Sequence, residues 1–245
     1  MPKAFLSHKS QDKQEVIHIQ NNLHNYLIET WLDKDQLHAG SDLFDTFFEA
    51  VENNGHFVAF ISEQYMDSEW CMRELTAAMA RPKIKIIPVI VGAVDKVQAK
   101  ASPKVKNLLM TTKYLVLNPY HLSKTTQQIA EAIWKDYPIS CAAVEKKQIR
   151  DFEFLQISIR ANSKNIPENS FENWNFSIRD FLDQAPFNSK LPIALEGRIP
   201  AWLYCYLAIP LFNNRDVYLY NNVSDGYVCV YSTKGEDTGR FIRRV

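Results

Sequence analysis

The sequence predicts two consecutive α/β units, the first an open parallel sheet flanked by helices and the second smaller. Three observations carry that prediction. Short apolar runs alternate with segments of helical period, the connections between them are short and polar, and the pattern breaks once, at residues 138–150, before a second alternation begins.

Lys3 to Ser7 is an apolar run ending in a polar turn, and Val16, Ile19, Leu23, Tyr26 and Leu27 follow at helical spacing within residues 12–29. Thr30 to Asp33 reads as the next strand and Lys34 to Gly40 as a polar loop. Ser41 then caps a helix whose Phe44, Phe47, Phe48 and Val51 face inward. After Asn53-Asn54-Gly55, residues 56–62 form an apolar strand of the kind covered on both faces. Residues 84–91 and 113–117 supply a fourth and a fifth strand. Ile129, Ala130, Ile133 and Trp134 mark a closing helix over 125–137. In such sheets ligands bind beyond the carboxyl ends of the strands, so Ser7 to Ser10, Asp33 to Gly40 and Ser62 to Trp70 converge on one rim.

Composition excludes several functional classes. The chain has 245 residues, 46% hydrophobic and 23% charged, with 28 basic and 28 acidic side chains and no formal net charge. No global field draws it to duplex nucleic acid or to anionic lipid. The amino terminus lacks the apolar core of a signal peptide, and the longest apolar run is broken by Lys85 and Pro88, so a cytoplasmic protein without a membrane span is expected. Cys71, Cys141, Cys205 and Cys229 form no C-x-x-C pair, and the histidines lack metal-ligand spacing. Reduced thiols, no metal and no cofactor are expected.

The stretch Asp67-Ser68-Glu69-Trp70-Cys71-Met72-Arg73-Glu74-Leu75 reads as a helix start with an acid one turn in. Asp67 or Ser68 caps the first amides, and Trp70 and Glu74, four apart, share a face. Cys71, Leu75 and Ala78 form a separate apolar stripe for seating the helix, which leaves the Trp70/Glu74 face to look into a cleft. A surface glutamate beside a half-buried tryptophan would give the same helix.

The order of the surrounding motifs decides between them. With Lys3-Ala4-Phe5-Leu6-Ser7-His8-Lys9-Ser10 at the start and Trp31-Leu32-Asp33-Lys34-Asp35 before Gly40, the run Ser68-x-Trp70-Cys71-x-x-Glu74-Leu75 resembles the signature of TIR domains, in particular the branch that cleaves NAD+. The resemblance spans residues 1–137 and implies a flavodoxin-like, five-stranded parallel sheet. It implies further that Glu74 is the catalytic carboxylate, stabilising the charge that builds on the ribose as nicotinamide leaves or orienting the ribose. Phe5, Ser7, His8, Lys9, Ser10, Asp33 and Trp70 would bind substrate. Lys34, Asp35 and Gly40 would belong to a loop through which protomers assemble as dimers or filaments and complete a site between them. NAD+ is then a substrate.

Beyond the expected linker at 138–150, residues 151–245 read as strand 154–160, helix 171–182, strand 191–195, a turn at Glu196-Gly197-Arg198-Ile199-Pro200, helix 201–212, and strands 216–220 and 227–231. Arg240, Arg243 and Arg244 read as a solvated tail. The strand, Gly197-x-x-Pro200 and apolar helix are similar to CARF and SAVED domains, which are Rossmann-like α/β sensors of cyclic oligonucleotides. That similarity implies ligand sensing by Arg160, Asn162, Ser163, Gly197 and Arg198, and activation by a cyclic oligoadenylate as in CRISPR-associated TIR effectors of antiviral defence. Two other readings stand beside it: a scaffold in which Glu74 is incidental, and an enzyme that makes a cyclic ADP-ribose-type signal.

Overall fold

The computed structural model describes residues 2–32, 55–137, 139–162, 190–198, 204 and 215–244. They fall into two compact units, one of the described residues up to 133 apart from 25–27, and the other of residues 25–27 and the described residues from 134 onward.

The first unit is built on five parallel strands, β1 (Lys3–Ser7), β2 (Glu29–Leu32), β3 (His56–Ile61), β4 (Lys85–Ile90) and β5 (Leu115–Val116), in the order β2-β1-β3-β4-β5. This is the flavodoxin-like order, in which the winding reverses between β1 and β3. All six residues of β3 are buried, as a strand covered on both faces requires. A 3-10 turn (Ser10–Asp12) leads into α1 (Lys13–Leu23), which buries Val16, Ile19 and Leu23 at helical spacing. Then come α2 (Glu63–Met66), α3 (Glu69–Met79), α4 (Val94–Lys100), α5 (Pro103–Thr111) and α6 (Leu122–Trp134). Sequence periodicity missed α4 and α5, which are short. Their punctuation is plain in retrospect: Ser102 caps α5 by accepting from the Val105 amide, and Pro103 takes its first turn. The expected helix from Ser41 and the loop of residues 33–40 lie outside the described residues.

The second unit holds a six-stranded sheet, β6 (Ile139–Ile149), β7 (Phe152–Ala161), β8 (Ile193–Arg198), β9 (Val217–Asn221), β10 (Gly226–Tyr231) and β11 (Phe241–Arg243), in the order β11-β10-β9-β8-β7-β6. Its centre, β7-β8-β9, is parallel, while β6, β10 and β11 run antiparallel to their neighbours. Phe154, Ala194, Tyr218, Tyr227 and Cys229 pack one face.

Three expectations are corrected here. The segment expected as a linker, 138–150, is strand over residues 139–149, each end paired with β7 in a ten-residue partner. Gly197 and Arg198 do not form a turn: they end β8 and pair with Ile159 and Arg160. The carboxyl terminus is not a loose tail, because β11 pairs with β10 and Arg244 bonds Glu196 at 3.1 Å. The helices expected at 171–182 and 201–212 lie outside the described residues, apart from Tyr204.

Candidate functional site

Ser7 is the last residue of β1 and Ser62 the first after β3, so both stand at the carboxyl ends of the strands between which the winding reverses. That is where open α/β sheets offer a crevice. Ser62 caps α2, its Oγ accepting from the Tyr65 amide at 3.1 Å, and Ser68 caps α3 by accepting from the Cys71 amide at 3.4 Å. Two caps six residues apart therefore fix the path from β3 into α3.

On α3 the buried positions are Cys71, Glu74, Leu75 and Ala78. Spaced three, one and three apart, these make one helical stripe, and Glu74 lies inside it. The expected face shared by Trp70 and Glu74 is thus split: Glu74 is 1% exposed and Trp70 40%. Trp70 carries the Arg73 guanidinium 5.5 Å from its ring centroid.

A buried carboxylate needs donors, because desolvation penalises its charge heavily. Ser7, itself fully buried, donates its hydroxyl to Glu74 Oε2. The Ser7 Oγ also lies 2.9 Å from the Tyr65 hydroxyl, and the Tyr65 hydroxyl 3.2 Å from the Cys71 carbonyl. The Cys71 thiol points at the His8 carbonyl at 3.5 Å. Glu74 is thereby held by β1, α2 and the first turn of α3 together.

At the other end of the same rim, Ser62 donates to Asp12 Oδ2 at 2.8 Å. Burial raises the Asp12 carboxyl above its ordinary range, with Glu15 adding to it, while the Ser62 hydrogen bond and His8 pull the other way.

The residues predicted to bind substrate divide accordingly. Ser7 joins Glu74, but as a buried partner and not as part of a polar rim. Phe5 has no surface to offer a ring: it is buried and stacks on Phe57 with centroids 5.6 Å apart. His8 and Lys9 are half-buried and Ser10 is exposed, just beyond β1. Asp33, Lys34, Asp35 and Gly40 lie outside the described residues. Tyr65 and Asp12 were not anticipated from sequence, although Ser62-x-x-Tyr65 is a readable cap preceding the motif helix.

In the second unit a cavity of about 1070 Å³ opens at the carboxyl ends of β7, β8 and β9, lined by Ser158, Arg160, Glu196, Gly197, Tyr204, Tyr220 and Asn222 among others. Arg160 and Gly197, expected to sense a ligand, both line it. Asn162, expected to sense a ligand, donates its amide to the carbonyls of Trp134 and Tyr137, both at 2.8 Å. Gly197 is a packing necessity: a Cβ there would stand 1.9 Å from the Ile159 carbonyl oxygen. Ser163 and the Arg198 side chain lie outside the described residues. Glu196 accepts from the Tyr227 hydroxyl at 2.7 Å and from Arg244. Among the described residues no group of three or more His, Cys, Asp or Glu could hold a metal ion, and no helix is long and apolar enough to cross a membrane.

Residues 4–121 match a family model described as TIR domain. Among solved structures, the TIR domains of the activated Roq1 resistosome directly recognizing the pathogen effector XopQ are 22% identical, over 54% of this chain and 99% of that one, with a TM-score of 0.42.

Proposed function

We propose that this chain, whose residues 4–121 match the TIR domain model, is an NAD+ glycohydrolase in which Glu74 stabilises the positive charge that develops on the ribose as nicotinamide departs. The observation that carries this reading is the Glu74 carboxylate, enclosed at the point where the sheet reverses its winding and held there by Ser7. A carboxylate in such a low-dielectric site interacts with a developing cation far more strongly than one in water. Nicotinamide leaves neutral, so the leaving group needs no general acid. Trp70, exposed one turn before Glu74, offers a ring against the substrate, and His8, Lys9 and Ser10 offer polar contacts beyond β1.

We propose further that the second unit senses a cyclic oligonucleotide in the cavity at the ends of β7, β8 and β9, with Arg160 as its cation, and that sensing promotes self-association of the TIR domains through the segment containing Asp33, Lys34, Asp35 and Gly40. Its volume, about 1070 Å³, stands at the upper end of the range for ligand pockets.

A second reading has its own observation. Glu74 is 1% exposed and hydrogen-bonded, which also suits a scaffold whose acid is structural. One experiment separates the readings. The full chain is incubated with NAD+ and a panel of cyclic oligoadenylates, with and without crowding agent, and nicotinamide and ADP-ribose products are resolved by chromatography. Release by wild type and a fall of at least a hundredfold in folded Glu74→Gln supports the enzyme. Undiminished turnover in that variant removes Glu74, and no release under any condition leaves the scaffold. The ratio of linear to cyclic product distinguishes hydrolysis from synthesis of a cyclic signal.

A further inference from the structure

We infer that Tyr65 is a positioning residue for Glu74, acting through Ser7 in a three-member hydrogen-bond relay that reverses direction with the charge of the acid. The inference rests on the proposed role of Glu74 and follows from counting protons.

Ser7 and Tyr65 carry one hydroxyl proton each, and the relay has four acceptors: Glu74 Oε2, the Ser7 oxygen, the Tyr65 oxygen and the Cys71 carbonyl. When Glu74 is ionised, Ser7 donates to it, and the Ser7 oxygen is then served by the Tyr65 hydroxyl at 2.9 Å. Tyr65 has no proton left for the Cys71 carbonyl. When Glu74 is neutral it becomes the donor, and the chain runs Glu74 to Ser7 to Tyr65 to the Cys71 carbonyl at 3.2 Å. Each state satisfies the hydroxyls, and the Tyr65 proton is what switches between them. A carboxyl group that is 1% exposed needs such a means of tolerating both charge states, because neither form can turn to water for its hydrogen bonds.

The anchoring of Tyr65 fits this task. Its ring is fully buried, its amide is bonded to Ser62, and Ser62 is in turn held by Asp12 across from α1's entry. The hydroxyl is therefore presented to Ser7 by a fixed backbone, without a flexible side chain's freedom.

Tyr65→Phe keeps the ring in its packing and deletes the one proton that matters. In the full chain, under the conditions in which wild type cleaves NAD+ fastest, the variant is expected to lose about tenfold in kcat with KM and melting temperature nearly unchanged. Ser7→Ala is expected to lose more, and Ser7→Thr to recover most of that loss. The deciding measurement is the double variant: with Ser7 already alanine, Tyr65→Phe should cost nothing further in kcat, since its effect passes through Ser7. Wild-type kcat in Tyr65→Phe, or fully additive losses in the double variant, would overturn the relay while leaving the Glu74 assignment standing. Absence of nicotinamide release by wild type would overturn the proposed function, and the relay with it.

Discussion

The chemistry of this chain turns on where single side chains stop being exposed. Glu74 shows how a residue's type and position were legible while its environment was not. Spacing from Trp70 placed it on a common face, but the same helix equally groups it with Cys71, Leu75 and Ala78, and Ser7 made the buried choice tolerable by supplying a donor from a distant strand. Sequence periodicity carries no record of such a partner. Trp70, by contrast, is 40% exposed, so Trp70→Ala should shift the melting temperature by no more than a few degrees while raising KM for NAD+, as thermal melts and initial rates together will show. Asp12 gives a pH signature. Its carboxyl is raised in the folded protein, chiefly by burial, so the folded state binds its proton more tightly than the unfolded chain does. That contribution is present below the unfolded value and is lost as pH rises through the folded one. Asp12→Asn, which keeps an oxygen for Ser62, should melt higher relative to wild type at pH 7 than at pH 4. A constant difference across that range would contradict the assignment.

Among elements, the first unit follows its sequence closely because both periods are strong there: β3 is apolar from Phe57 to Ile61, and α1 and α6 repeat at helical spacing. The second unit departs from its sequence reading for identifiable reasons. β6 carries Glu145, Lys146, Lys147 and Gln148 in succession, all exposed, which hides its alternation and resembles a solvated connection. Gly197 carries the opposite lesson, a glycine taken for a turn that in fact permits β8 to approach β7. Replacing it with alanine would place a Cβ 1.9 Å from a backbone oxygen that cannot rotate away. Gly197→Ala is therefore expected to destabilise the second unit by about 3 kcal/mol, read from its denaturant midpoint. A midpoint within error of wild type would mean that β7 and β8 are not paired in this register.

At the level of the whole molecule, a chain that divides into two compact units is expected to tolerate separation of the two. A fragment of residues 1–137 is expected to fold, with a cooperative melt of its own, and to release nicotinamide at least tenfold more slowly than the full chain at equal concentration. Equal rates without added nucleotide would remove the second unit from the mechanism.

The strand that occupies 139–149 bears on how the protein meets proteases. Lys146 and Lys147 are exposed and adjacent, and Lys146 pairs with Glu153 at 3.0 Å, so by composition the site invites trypsin. Yet a protease must draw several residues into its cleft as a separate extended strand, and here the backbone is already committed to Leu155 and Phe154. Lys190, exposed and outside any ladder, has no such protection. Brief digestion followed by mass spectrometry should therefore find cleavage after Lys190 well before any at Lys146 or Lys147, and the two halves of the chain will part company only once the second sheet has opened.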